Sequence, residues 1–122
     1  HALVPARLSA EHAIGVRHAC FCAHPYLLRL LGMSAPEVAE YRAAVLRGDR
    51  RAMPGAVRAS AGIATTSDDI NRFLHALAQI ASGEASPVTY DQDDHTGDYW
   101  PRTDDPAWSS AARRLGASCA RG

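Results

Sequence analysis

Ile70, Phe73, Leu74, Leu77 and Ile80 recur at intervals of three and four residues, and this stripe constrains the chain more than any other feature. It predicts an amphipathic helix whose apolar side must be covered, so the stripe is expected to be core. Thr66 or Ser67 can cap the helix, Asp68 and Asp69 suit the positive end of its dipole, and Gly83 supplies a stop. A chain of 122 residues has room for one such core, not two.

The remaining patterns supply partners for that helix. Leu3, Val4 and Leu8 share one face of a helix expected over residues 2–12. Ile14, Val16 and Phe21 favour a strand over 13–21. Pro25 suits the first turn of a short helix ending near Gly32. Ser34 and Glu37 then have capping-box spacing, and Val38, Tyr41 and Val45 continue an apolar face as far as Gly48. An Arg-rich connection, 49–54, leads to a second strand candidate over 55–64 that is poor in large side chains. The order predicts an α+β domain, with a small, mainly antiparallel sheet and helices packed on one of its faces. Two strands are marginal alone. The chain also opens directly on helix-like sequence, so an N-terminal strand is expected to lie upstream of His1. Residues 1–83 form the expected domain. Residues 84–122 form an extension rich in Asp and Pro but carrying Tyr90, Tyr99, Trp100 and Trp108, which is expected to drape over this domain or a neighbouring one.

Acidic and basic residues balance at thirteen each, and 47% of residues are apolar. No global field draws the chain to nucleic acid or an anionic membrane, and no apolar run approaches the ~20 residues of a bilayer span. Three cysteines, Cys20, Cys22 and Cys119, without a signal segment point to reduced thiols and a cytoplasmic location. Every basic residue is Arg. With no lysine, no side chain here can form a Schiff base.

Two segments carry chemistry. The first runs Ile14-Gly15-Val16-Arg17-His18-Ala19-Cys20-Phe21-Cys22-Ala23-His24-Pro25; the second is Val57-Arg58-Ala59-Ser60, followed by Thr65-Thr66-Ser67-Asp68-Asp69-Ile70. In this order they resemble the C-terminal small domain of fold-type I pyridoxal-phosphate (PLP) enzymes of the class V aminotransferase and cysteine desulfurase family. That family reads G-I-x-V-R-x-G-x-x-C-A-x-P, then V-R-x-S and an Asn-Thr pair, and the resemblance spans residues 2–83. It implies that Cys22 is the nucleophilic thiol, that Arg58 grips the substrate α-carboxylate, and that Arg17 lines the same pocket. A planar guanidinium suits a carboxylate because it offers two parallel donors, and a desulfurase needs a thiolate. The resemblance further implies PLP bound by a large domain outside this chain, a small amino-acid substrate, a homodimer and a sulfur-acceptor protein. Cysteine desulfurase or selenocysteine lyase chemistry is the leading expectation. Ala19 departs from the family's glycine, Cys20-Phe21 from a frequent His-His pair, and Thr65-Thr66 from Asn-Thr.

Other readings of the same residues stand beside this one. A small cysteine in a strand is often packing, and strand arginines often cover sheet edges. The family also holds aminotransferases, epimerases and lyases that need no cysteine. His18, Cys20, Cys22 and His24 alternate, so a fully extended segment would align four zinc-type ligands. A non-catalytic interaction domain would use the aromatic extension as its contact surface.

Overall fold

The computed structural model describes residues 1–102. Its elements are α1 (Leu3–His12), β1 (Arg17–Ala19), α2 (His24–Leu30), α3 (Ala35–Leu46), β2 (Ala56–Arg58), α4 (Ser67–Ala81), β3 (Tyr90–Gln92) and β4 (Tyr99–Pro101). The α+β class holds, and all strand pairing is antiparallel. The single sheet expected from sequence is replaced by two separate two-stranded ladders, β1–β2 and β3–β4.

The helices sit where their local chemistry puts them. Glu37 accepts a hydrogen bond from the Ser34 N–H at 2.7 Å, fixing the start of α3. Thr66 Oγ1 accepts from the Asp69 N–H at 3.2 Å, and Asp69 accepts from the Thr66 N–H at 3.0 Å, which completes the box at α4. Helix α1 ends on Ala13 in the left-handed conformation (φ 55°), with Ile14 N–H bonded back to the Leu8 carbonyl at 2.9 Å. Ala13 is therefore a helix cap and not the first residue of a strand.

The strands are shorter than the sequence suggests. β1 keeps only three residues of the expected 13–21, because its partner β2 is itself only Ala56–Arg58. Pro54 and the run Ala59-Ser60-Ala61-Gly62 flank β2, and small residues with nothing to pack do not extend a ladder.

Leu8, Leu27, Leu28, Tyr41, Ala76 and Val88 are buried, and α1 packs against α4 and against β4. The stripe on α4 is only partly core. Phe73, Leu77 and Ile80 are half-buried, while Ile70 and Leu74 are 40% and 54% exposed. They line an open apolar groove of about 430 Å³ with Ile14, Val16 and Phe73, rimmed by Asp69 and Arg72. No described element lies across that side of α4, so the stripe, expected to be core along its whole length, is core on one side only.

The extension, as far as residue 102, lies on α1. Arg7 and Glu11 form a two-pronged pair at 2.9 and 3.0 Å, and Arg7 also donates to the Glu84 carbonyl at 3.1 Å. Glu11 Oε1 accepts further bonds from Ser86 Oγ at 2.9 Å and from the Tyr90 hydroxyl at 3.0 Å. The β3–β4 hairpin is also tied to the 49–51 connection. Gln92 donates to the Arg51 carbonyl at 3.1 Å, and Arg50 N–H to the Asp94 carbonyl at 2.7 Å. Gly97 (φ 78°) makes this contact feasible, since a Cβ there would sit 2.6 Å from the Arg50 carbonyl oxygen. Trp108 and Cys119 lie outside the described residues.

Candidate functional site

Arg17 and Arg58, drawn from two distant motifs, become direct cross-strand partners in the β1–β2 register. Residues opposite one another in an antiparallel pair project from the same face, with Cβ atoms roughly 5 Å apart. Like charges so placed repel. Both arginines are exposed, and neither forms an ion pair among the described residues. Two arginines facing one another on a ladder, with no carboxylate paired to either among the described residues, are an arrangement that an anion would relieve, and their planar donors match a carboxylate.

Beyond β1 the backbone reverses abruptly. Ala19 has φ 138°, Phe21 φ 50° and Cys22 φ 59°, and the Ala23 N–H closes the turn onto the Cys20 carbonyl at 2.9 Å. Positive φ at both central positions is the type I′ pattern, usually filled by Asn and Gly. The turn leaves Cys22 exposed and Cys20 half-buried. It also folds Phe21 back, so that the Arg58 guanidinium carbon lies 5.0 Å from the centre of its ring. The three residues singled out by sequence thus belong to one structural unit: Arg17 and Arg58 on the ladder, and Cys22 in the turn that follows it.

The same reversal removes the alternation on which a zinc site depended. Only His18 remains in the strand, while His24 starts α2 and stacks on Tyr41 with ring centres 6.0 Å apart. Among the described residues no three His, Cys, Asp or Glu side chains converge on a metal position.

His18 points to the opposite side of β1 from Arg17, where its Nε2 lies 3.3 Å from Asp98 Oδ1. Its Nδ1 is buried with no hydrogen-bond partner among the described residues. Neither the Phe21–Arg58 stack nor the His18–Asp98 pair was legible in the sequence. The first depends on a left-handed turn that Phe and Cys do not announce, and the second joins β1 to a hairpin read only as an extension. No described helix is long and apolar enough to cross a membrane. No protein-family model, no curated protein and no solved structure matches this chain.

Proposed function

We propose that this chain is the substrate-gripping small domain of a PLP enzyme of the class V aminotransferase and cysteine desulfurase type. The observation that carries the reading is the facing pair Arg17–Arg58, two arginines on one face of a ladder with no carboxylate paired to either among the described residues. In this reading Arg58 takes the α-carboxylate of a small amino acid as a two-pronged donor, and Arg17 adds a second positive charge beside it. Cys22, exposed in the adjoining turn, is the thiol that receives sulfur and passes it to an acceptor protein. Ala19 adds support. It stands where the family pattern has glycine, and its φ of 138° is one that glycine adopts freely and alanine does not. The open groove beside Ile70 and Leu74 suits a surface that a large domain would cover.

The chain does not fit the cofactor by itself, because it has no lysine to anchor it. That anchor, the cofactor's phosphate site and much of a homodimer interface fall to the large domain. The parts assigned to this chain are carboxylate binding and the thiol.

The reading frame upstream of His1 gives the first test. A continuous frame encoding a lysine-bearing large domain supports the proposal, and a start codon directly before His1 overturns it. In the complete enzyme, Arg58→Lys should lower kcat/KM by about 2–4 kcal/mol of transition-state stabilisation, because an ammonium cannot reproduce the fork. Cys22→Ser should abolish persulfide formation and leave substrate binding intact. Full activity in that variant would replace desulfuration with a cysteine-independent aminotransferase, epimerase or lyase.

A further inference from the structure

We infer that Phe21 is a positioning residue that holds the Arg58 guanidinium ready for a carboxylate, an inference that rests on the clamp reading above. Phe21 lies beyond the end of β1, whereas Arg58 pairs with Arg17 at the start of that strand. In a chain that continued extended, Phe21 would move away from Arg58 with each residue. The left-handed conformations at Phe21 and Cys22 bring it back instead, and both are unfavourable for residues that carry a Cβ. The backbone adopts a disfavoured turn, and its product is an aromatic face 5.0 Å from the charge centre of Arg58.

The chemistry of that contact fits the task. A ring attracts a cation through its face, so the stack occupies one side of the planar guanidinium. The N–H donors lie in the guanidinium plane and stay free for a two-pronged carboxylate. Among the described residues nothing else restrains Arg58 by ion pairing. Phe21 makes no contact with the substrate in this account; it acts through Arg58.

The test uses the full chain with 15N-labelled arginine, followed by NMR at the side-chain Nε–H groups and titrated with sodium acetate and with L-alanine. Before any titrant, the Arg58 Nε–H should carry an upfield ring-current shift that disappears in Phe21→Leu and persists in Phe21→Tyr. Carboxylate affinity should then fall roughly fivefold in Phe21→Leu, the scale of an exposed cation–π contact, and stay within about twofold in Phe21→Tyr. Equal affinity in the parent and Phe21→Leu, or equal loss in Leu and Tyr variants, overturns the positioning role while the clamp stands. A parent chain in which neither Arg17 nor Arg58 responds to carboxylate removes the clamp itself, and this role with it. Should Phe21→Leu fail to fold, the parent spectrum decides alone, since an Arg58 signal without the upfield shift refutes the stack.

Discussion

Arg7 and Arg58 are the same side chain in opposite circumstances. Arg7 is 8% exposed, and its guanidinium donates to both oxygens of Glu11 and to the Glu84 carbonyl. Arg58 is exposed opposite another arginine, and its guanidinium lies against the Phe21 ring. Around Arg7 the molecule has closed on itself. Around Arg58 the described residues leave like charges facing one another, three non-glycine residues at positive φ and an open apolar groove. A buried charge must find its partners within the chain or destabilise the fold. An exposed one can wait for a ligand, and strain concentrated beside it follows the same division between holding a structure and using it.

The largest expected effect breaks the closed side. Glu11→Ala strands a buried Arg7 and should cost about 4 kcal/mol in urea unfolding, as for a buried pair that loses one partner. A loss below about 1 kcal/mol would place the seam among ordinary surface pairs. Acid provides a version of the same test without mutation. Burial pushes the Glu11 carboxyl up, but the bonds from Arg7, Ser86 and Tyr90 outweigh it and hold the group below its ordinary value of 4.5. A depressed carboxylate contributes stability above its unfolded pKa and loses it as pH falls through the folded one. The parent should therefore weaken below pH 4.5 more steeply than Glu11→Gln.

Gly97→Ala attacks the same side through the backbone. The added methyl would meet the Arg50 carbonyl oxygen at 2.6 Å in a conformation alanine disfavours, and thermal unfolding should register about 2 kcal/mol of destabilisation. The open side should respond in the other direction. Ala19→Gly relieves a φ of 138° and should gain about 1 kcal/mol, net of the flexibility glycine adds to the unfolded chain. Arg17→Thr removes one of two facing like charges and should stabilise by roughly 0.3–0.5 kcal/mol, diminishing with salt. If both open-side variants destabilise as Gly97→Ala does, the contrast between the regions is lost.

What was legible in the sequence divides along the same line. Helices α3 and α4 were readable because their capping residues act within four positions of one another. The strands were readable in kind but not in extent, since a ladder's length depends on a partner elsewhere in the chain. The stripe on α4 identified a helix, yet periodicity cannot say how much of an apolar face its own chain will cover. The burial of the Arg7–Glu11 pair was invisible because the groups that close over it, Glu84, Ser86 and Tyr90, come from a segment read as a draped extension. That Arg17 and Arg58 would meet followed from resemblance alone; their facing register is a property of the fold.

The Arg7–Glu11 seam also sets an order of assembly. Glu11 and Tyr90 are 79 positions apart, so the contact that completes α1 can form only after the whole segment between them has been made. Closing so long a loop is entropically costly, and contacts of this separation slow folding relative to local ones. Helices α3 and α4 can settle on their own caps as they emerge. Helix α1 must keep its charged pair in water until Ser86 and Tyr90 arrive, so of the described elements the one that precedes the others in sequence is among the last to be locked in place.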